Sequence, residues 1–326
     1  MKTILVTGGL GFIGSHTIVE LLEMNYKVVI IDNLSNSNVS IIEKIKKITN
    51  KNIIFYKCDI LDTEQLNNIF KSYNIHCVIH FAGLKAVSES IEKPLDYYHN
   101  NVSGTVNLLQ CMEKFNIKNL IFSSSSTVYG NTQPPFTENS ETGKNITNPY
   151  GRTKYLIEEI LKDLIGWNIF ILRYFNPIGS HKSGLIGDNP NGIPNNLMPY
   201  IIKVANKELP YLNIFGNDYN TNDGTAKRDF IHVIDLAKAH VNCIDHFKDI
   251  QILNLGTGNS TSVLELVETF KKVNNIDIPY YFKEKRNGDI EDSYCISNKA
   301  EEIINWKANK NITDMCEDSY NFIKNN

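Results

Sequence analysis

The chain has 326 residues, of which 42% are hydrophobic, and a formal net charge of −3. This length fits about two domains with a sizeable buried core. The sequence has no long basic run, which argues against nucleic acid as a partner. Its first apolar run is too short for a secretory signal, and no stretch approaches the roughly 20 apolar residues of a membrane span. We therefore expect a cytoplasmic protein.

Cysteine and histidine are spaced in ways that do not suggest metal binding. The six cysteines form no CxxC pair, and the eight histidines form no HxxH pair. We therefore expect no metal site, and scattered cysteines of this kind fit buried thiols in a reducing compartment.

Short apolar runs alternate with helical patterns through the first half of the chain. The predicted strands lie at 3–9, 27–33, 52–60, 76–83, 119–126 and 168–176, and helical patterns lie at 14–25, 62–73 and 101–115. Continuous apolar runs are typical of parallel strands that are buried on both faces. The alternation predicts an α/β fold with a doubly wound parallel sheet, of the Rossmann type.

The rhythm changes after about residue 176, where glycine, proline and asparagine become frequent. We expect a first domain at 1–176 and a smaller mixed α/β domain at 177–326. The segment at 230–244 predicts a strand or turn that leads into a helix. Part of about 230–246 is expected to pack back on the first domain.

A glycine-rich turn follows the first predicted strand in "ILVTGGLGFIGSH". Gly8, Gly11 and Gly14 would let the backbone approach a pyrophosphate at the start of the next helix. Asp32 ends the second strand, near the position at which a carboxylate binds the adenosine ribose. No arginine at 33–38 could bind a 2′-phosphate. The pattern predicts NAD rather than NADP.

Two further strand ends are predicted to face the same crevice. Asp59 follows the third strand and is placed to reach the adenine, although a strand-end turn residue is an equal alternative. Ala82 and Gly83 follow the fourth strand, where small residues would let the cofactor lie across the backbone. Ligands of such sheets lie beyond the carboxyl ends of the strands.

The fifth strand ends in "SSSSTVYG", and the helix that follows begins "NPYGRTKYL". Ser125, Tyr150 and Lys154 together form a proton-transfer set above the crevice. Tyrosine is a poor base near its ordinary pKa of about 10, but a nearby ammonium favours tyrosinate. The four-residue spacing places Lys154 close enough to act on Tyr150.

These motifs resemble the extended short-chain dehydrogenase/reductase superfamily and, more closely, the UDP-glucose 4-epimerase family. The stretches that carry the closer resemblance include "GGLGFIGSHT", "DNLSNS", "HFAGLKAVSESIEKPLDYYHNNVSGT", "LRYFNPIGSH", "GIPNNLMPYI" and "IFGNDY". They cover essentially the whole chain. The resemblance implies NAD-dependent epimerisation of a UDP-sugar at C4, with Ser125, Tyr150 and Lys154 as the catalytic residues.

The resemblance also implies two sets of contacts. NAD would contact Phe12, Ile13, Asp32, Asn33, Leu34, Ser35, Asn36, Ser37, Asp59, Ile60, Phe81, Ala82, Gly83, Leu84, Lys85, Asn100, Lys154 and Phe175. The UDP-sugar would contact Ser125, Tyr150, Asn176, Asn196, Leu197, the backbone from Asn213 to Phe215, Arg228, Ser293 and the "RNGD" segment with Arg286 and Asp289. From their chemistry alone, Arg228 and Arg286 suit a diphosphate, and a role as partners for acidic side chains is an equal alternative.

The sequence departs from the family pattern at two places. Ser293 stands where strict UDP-glucose epimerases often carry a tyrosine beside the sugar 2-substituent, unless the alignment slips to Tyr294. Ser293 at this place predicts turnover of N-acetylated UDP-sugars as well. Arg152 and Thr153 replace a common Lys-Ser pair and are expected to face away from the chemistry.

Other activities share parts of this pattern. Nucleotide-sugar 4,6-dehydratases carry Asp-Glu where this chain has Ser126 and Thr127, so dehydration is disfavoured. A UDP-uronate 4-epimerase, another nucleotide-sugar-modifying short-chain dehydrogenase and a noncatalytic NAD sensor are the alternatives. The family also implies a homodimer, which we expect to involve the helices at 101–115 and 150–164.

Overall fold

The computed structural model describes residues 1–190, 194, 196–286 and 289–325. The strands are β1 (Thr3–Thr7), β2 (Lys27–Asp32), β3 (Ile54–Lys57), β4 (Ile75–His80), β5 (Asn119–Ser125), β6 (Asn168–Tyr174), β7 (Asn176–Ile178), β8 (Leu212–Phe215), β9 (Lys227–His232), β10 (Ile250–Leu255), β11 (Ser260–Ser262), β12 (Tyr280–Lys283) and β13 (Asp292–Ser293). The helices are α1 (Phe12–Glu23), α2 (Ile41–Thr49), α3 (Thr63–Ser72), α4 (Val87–Glu92), α5 (Pro94–Tyr97), α6 (Gly104–Lys114), α7 (Pro149–Lys162), α8 (Leu197–Ala205), α9 (Val233–Cys243), α10 (Val263–Asn274), α11 (Asn298–Ile304) and α12 (Ile312–Lys324). A π-helical segment at Tyr98–Ser103 joins α5 to α6, and a 3₁₀ turn at Ser126–Tyr129 follows β5.

The main sheet has seven parallel strands in the order β10-β6-β5-β4-β1-β2-β3. Neighbouring side chains on a strand point to opposite faces, so Ile4 and Val6 join one apolar layer and Leu5 joins the other. Helices α1, α2, α9 and α11 contribute to the first layer, and α3, α6 and α7 contribute to the second. The predicted doubly wound parallel fold is confirmed.

The order of the strands reverses at β1, which lies between β2 and β4. In open α/β sheets a ligand binds at this switch point, beyond the carboxyl ends of the strands. The turns after β1, β2, β4 and β5 carry most of the cofactor and catalytic residues that the sequence predicts.

Much of the C-terminal half packs around a second apolar cluster. β9 pairs with β7 and β13 in parallel and with β11 in antiparallel fashion. β8 and β12 form a separate parallel pair. Side chains of α8, α10 and α12 fill the cluster beside these strands. The same half also returns to the main sheet, where α9 packs against α1 and β10 forms an edge strand that the sequence pattern did not predict.

Candidate active site

The turn between β1 and α1 is shaped by glycines that leave no room for a side chain. Gly8 has a φ of +62°, and a Cβ atom there would lie 2.7 Å from the backbone nitrogen of Ala82. A Cβ atom on Gly14 would lie 2.5 Å from the carbonyl oxygen of Gly8. The backbone of the turn is therefore packed as tightly as the glycine motif predicts.

The start of α1 is suited to an anion. Gly11 is its N-cap and offers no side-chain cap, and the first turn carries no acidic residue. The first N–H groups of a helix have no partner within the helix and lie at the positive end of its dipole. The donor set and the tight turn fit the pyrophosphate of a dinucleotide.

Asp32, at the end of β2, is buried and held in one orientation. Its Oδ2 accepts a hydrogen bond from the Leu10 amide at 3.0 Å, and its Oδ1 accepts from the Leu34 amide at 2.9 Å and from Ser37 Oγ at 2.7 Å. Leu34 adopts a φ of +64°, which curls the loop over the carboxylate. The predicted ribose-binding residue is thus fixed between the glycine turn and the 33–37 loop.

Asp59 belongs to the same edge of the crevice. Its carboxylate accepts from Asn33 Nδ2 at 2.8 Å and from the Leu61 amide at 2.9 Å. The hydrogen bond between Asn33 and Asp59 joins the loop after β2 to the loop after β3. The loop after β3 also holds Ile60. Ser35 and Asn36 lie exposed on the rim of the loop.

The fourth strand end contributes Phe81, Ala82 and Gly83, and it is held by a side chain that the sequence analysis did not single out. Asn101 is buried, accepts from the Leu84 amide at 2.8 Å and donates to the Leu84 carbonyl at 3.0 Å. Its neighbour Asn100, the predicted cofactor contact, donates to Asn101 Oδ1 at 2.9 Å. Lys85, further along this loop, has its Nζ 3.9 Å from Asp188 Oδ1.

The start of α7 brings the three predicted catalytic residues to one place. Asn148 caps the helix by accepting from the Gly151 amide at 2.8 Å, and Pro149 occupies its first turn. Lys154 Nζ donates to the Ser123 carbonyl at 2.6 Å, two residues before Ser125 on β5. The same ammonium lies 5.9 Å from the centre of the Tyr150 ring.

Electrostatics at this turn depend on burial. Burial lowers the pKa of Lys154 to about 8, and the Glu158 carboxylate acts in the opposite direction. Burial also raises the pKa of Tyr150, while a hydrogen bond with Ser125 lowers it. In the chain without ligands, Tyr150 therefore keeps its proton, and further positive charge is needed to release it.

Thr153 corrects the expectation that both residues after Gly151 face away from the chemistry. Arg152 is exposed, but Thr153 is fully buried. Thr153 Oγ1 donates to the Tyr150 carbonyl at 2.7 Å and accepts from Asn101 Nδ2 at 3.1 Å. This hydroxyl therefore joins the first turn of α7 to the loop after β4.

The predicted UDP-sugar residues surround the β9 strand and the end of β8. Arg228 on β9 donates to Asp289 Oδ1 at 2.5 Å, and the Arg286 guanidinium lies 4.0 Å from the centre of the Phe215 ring. Ser293 on β13 pairs in register with Arg228 and is buried. Asn176 starts β7, Asn213 lies on β8, and Asn196 and Leu197 begin α8. Phe175 packs in a separate apolar cluster with Tyr129, Phe136 and Cys295.

Two polar atoms near these residues have no hydrogen-bond partner among the described atoms. They are Asn213 Oδ1 and the hydroxyl of Tyr219. Buried polar atoms are almost always bonded, so each of these atoms marks a place where a polar ligand would fit. Tyr219 was not singled out from the sequence, because an isolated tyrosine in a turn carries no motif. Asn287 and Gly288 of the predicted "RNGD" segment lie outside the described residues.

No helix among the described residues is long and apolar enough to cross a membrane.

Residues 4–256 match the family model described as the NAD dependent epimerase/dehydratase family. The chain is 49% identical to the UDP-glucose 4-epimerase of Bacillus subtilis, over 99% of this chain and 97% of that protein. A crystal structure of UDP-glucose 4-epimerase from Bifidobacterium longum in complex with NAD+ and UDP superimposes with a TM-score of 0.96 at 48% identity, covering 100% of this chain and 99% of that one. A UDP-Glc/GlcNAc 4-epimerase from Campylobacter jejuni is similar with a TM-score of 0.86 at 31% identity, covering 100% of both chains. The chain therefore belongs to the NAD dependent epimerase/dehydratase family and, within it, to the UDP-glucose 4-epimerases.

Proposed function

We propose that this NAD-dependent enzyme interconverts UDP-galactose and UDP-glucose with Tyr150 as the proton acceptor at the sugar 4-hydroxyl. The observation that carries the proposal is the convergence of Tyr150, Lys154 and Ser125 beyond the carboxyl ends of β4 and β5. A noncatalytic NAD sensor would need the crevice but not this proton-transfer set.

NAD would be held by the glycine turn, by Asp32 and by the strand-end loops around Asp59 and Gly83. When bound there it supplies a hydride acceptor and a positively charged ring. That charge adds to the Lys154 ammonium and favours the tyrosinate form of Tyr150. Ser125, beside Tyr150, would hold the oxygen of the sugar 4-hydroxyl in line for proton transfer to Tyr150.

The uridine diphosphate is proposed to stay anchored while the sugar turns. Arg228 and Arg286 supply guanidinium groups for the diphosphate, and the unpaired atoms of Asn213 and Tyr219 supply polar contacts nearby. The 4-keto sugar formed by oxidation would rotate about its link to the diphosphate and be reduced on its other face. Tyr150 then returns the proton, which leaves the 4-hydroxyl inverted. In this arrangement residues 1–176 bind the cofactor and supply Ser125 and Tyr150 at the sugar, and residues 177–326 supply most of the other contacts to the UDP-sugar.

A second proposal concerns which substituents the enzyme accepts at the sugar 2-position, and it rests on Ser293. Ser293 is buried on β13 and pairs with Arg228, whereas Tyr294 follows that strand and is only partly buried. A serine leaves space that a tyrosine ring would fill. We propose that UDP-N-acetylglucosamine and its galacto isomer are also substrates.

A homodimer is proposed from an exposed apolar patch on α4, α5 and α7. Its members are Val87, Ile91, Leu95 and Leu156, with exposed fractions of 42%, 60%, 79% and 40%. The helix at 101–115 contributes less than the sequence suggested, because Leu108, Leu109 and Met112 of α6 are buried within the chain. Clustered exposed apolar side chains of this kind mark protein interfaces.

The activity is tested by incubating the purified protein with UDP-galactose and a small amount of NAD. We expect UDP-glucose to appear until equilibrium is reached, without net accumulation of NADH, because each turnover regenerates the cofactor. Release of NADH in proportion to an oxidised sugar would overturn the proposal and favour a dehydrogenase. Formation of a dehydrated sugar would favour the 4,6-dehydratases.

A further inference from the structure

A buried ion pair lies next to the catalytic turn of α7, and the mechanism above does not use it. Glu158 follows Lys154 by one helical turn, and its partner Arg173 lies on β6. Arg173 Nη2 donates to Glu158 Oε2 at 2.6 Å, and Arg173 Nε donates to Oε1 at 3.0 Å. The two side chains are 0% and 2% exposed. Because a buried pair often contributes little net stability, its presence calls for another role.

The pair is tied to the strand end that carries Ser125. Ser124 Oγ donates to Glu158 Oε1, and Lys154 Nζ donates to the Ser123 carbonyl. Helix α7 therefore holds two consecutive residues of β5 directly before Ser125. A shift of Glu158 would move the strand end and the catalytic helix relative to each other.

Arg173 also forms hydrogen bonds on the side away from Glu158, and these extend toward the half of the chain that is proposed to bind the UDP-sugar. Arg173 Nη1 donates to the Tyr129 hydroxyl at 3.0 Å, which donates to Asn254 Oδ1 at 2.6 Å. Asn254 Nδ2 donates to the Phe136 carbonyl at 3.2 Å. The Phe136 amide in turn donates to the carbonyl of Tyr294, directly after Ser293, at 2.9 Å. A chain of hydrogen bonds thus runs from Glu158 to Tyr294, the residue that follows β13.

The charges around Lys154 come from several elements. His80 on β4 has its pKa lowered to about 3 by burial and is neutral. Tyr174 on β6 and Tyr97 on α5 have pKa values raised by burial and are neutral as well. Arg173 on β6 is a cation, and its charge is directed into Glu158. Within the part of the chain that the structure describes, Glu158 is the carboxylate whose charge acts on the Lys154 ammonium.

We propose that Glu158, clamped by Arg173, is a positioning residue that keeps the Lys154 ammonium charged and fixes the Ser123–Ser125 strand end beside Tyr150. Glu158 acts through Lys154 and does not touch the substrate. The inference rests on the proposed function, since it assigns Glu158 to the proton transfer at Tyr150.

The first test is the pH dependence of kcat/KM with UDP-galactose. Glu158→Gln removes the negative charge and leaves Arg173 unpaired, so Lys154 loses its proton more easily. The alkaline limb of a bell-shaped profile, which reports loss of the Lys154 proton, should move to lower pH by about 1 pH unit. Glu158→Asp, which keeps the charge, should restore the limits of the wild type. Glu159→Gln makes the same charge change on the outer face of α7, where Glu159 pairs with Lys162, and should leave both limbs in place.

The second test follows Tyr150 without any turnover. The purified protein is saturated with NAD, and the ultraviolet absorbance of tyrosinate is followed as the pH is raised. Subtraction of the curve measured for Tyr150→Phe isolates the transition of Tyr150. In Glu158→Gln the transition should move to lower pH, because the uncompensated charge of Arg173 favours tyrosinate. This measurement stays informative even if UDP-galactose is not the substrate, so it separates failure of the inference from failure of the proposed function.

If Glu158→Gln does not fold, the double variant Glu158→Met/Arg173→Met replaces the ion pair with apolar side chains of similar size. It should fold, because no charge is left unpaired, and it should still move the alkaline limb to lower pH, because the carboxylate that acts on Lys154 is gone. A folded variant without Glu158 whose kcat falls while both pH limits and the Tyr150 transition match the wild type would overturn the proposal. That result would leave Glu158 a purely structural residue.

Discussion

Burial makes a tyrosine hold its proton more tightly than one in water, and burial is the largest influence on the pKa of Tyr150. Two neighbouring residues favour release of the Tyr150 proton. Lys154 is held within 5.9 Å of the ring centre, and Ser125 is hydrogen-bonded to the tyrosine. The positive nicotinamide ring would complete the change, which explains why base and cofactor share one crevice.

Replacement of Tyr150 by phenylalanine should lower kcat by roughly 10²–10⁴-fold, because the positioned proton acceptor is lost. Binding of NAD should be retained, since the glycine turn and Asp32 do not depend on the tyrosine hydroxyl. Steady-state kinetics and a cofactor titration measure the two effects. Tyr155→Phe on the same helix is the matched control and should keep near-normal turnover. Near-normal turnover of Tyr150→Phe would mean that another group is the base.

Ser293→Tyr tests the proposed breadth at the sugar 2-position. The ring should exclude an N-acetyl group while sparing plain UDP-sugars, which changes the ratio of the two kcat/KM values by roughly 10–200-fold. The ratio is measured in the wild type and in the variant. The hypothesis fails if the wild type ignores acetylated sugars or if the ratio stays constant. A matching effect confined to Tyr294→Ser would show that the alignment slips by one residue.

Among the secondary-structure elements, the sequence pattern predicted those strands and helices whose position depends on residues close together in the chain. β1 and α1 around the glycine turn follow from an apolar run, tight glycines and a helix start. The start of α7 follows from Asn148 and Pro149. By contrast, β10 lies at the sheet edge and carries Gln251 and Asn254, so its apolar pattern is weak. Its Asn254 is buried only because Tyr129 and Phe136 supply partners from distant parts of the chain.

The same limit applies to the site. Ser125, Tyr150 and Lys154 could be predicted because each stands in a motif of fixed local spacing. Asn101 and Thr153 could not, because their hydrogen bond joins residues 52 positions apart and exists only after folding. Leu156 on α7 is apolar, yet the structure exposes it. Sequence periodicity shows that a side chain is apolar but not which surface covers it.

The proposed dimer interface is tested by placing a charge in the exposed patch. Leu95→Asp should convert a dimer into a monomer of about 37 kDa at micromolar concentration, because an unpaired carboxylate is costly to bury. Sedimentation velocity gives the answer. Ile165→Asp is the control, since Ile165 is 94% exposed beyond the end of α7 and lies outside the patch. A wild-type protein that sediments only as a monomer would contradict the proposal.

At the scale of the whole molecule, three buried histidines link stability to pH. Burial lowers the pKa of His16 and His80 from 6.5 to about 3, and that of His240 to about 4. Their folded pKa values lie below the unfolded value, so the unfolded state binds more protons between these limits. The stability they allow is therefore fully present above pH 6.5 and is lost as the pH falls toward the folded values.

The free energy of unfolding should thus decrease on acidification, by about 2 kcal/mol for each such histidine near pH 5. Urea denaturation at several pH values between neutrality and about pH 5 measures the slope. In His80→Gln the free energy of unfolding should depend less steeply on pH, by the contribution of one histidine, because glutamine does not titrate. His246→Gln, at an exposed position, is the control. An unchanged slope in His80→Gln would contradict the assignment.

The central claim is that the hydrogen removed from C4 of the sugar is returned to the same carbon inside one closed site. The most direct test is epimerisation of UDP-galactose in heavy water with catalytic NAD, followed by proton NMR and mass spectrometry of the UDP-glucose formed. We predict product that carries ordinary hydrogen at C4 and no net NADH, because a hydride does not exchange with solvent. Deuterium at C4, or the absence of UDP-glucose, would contradict the account.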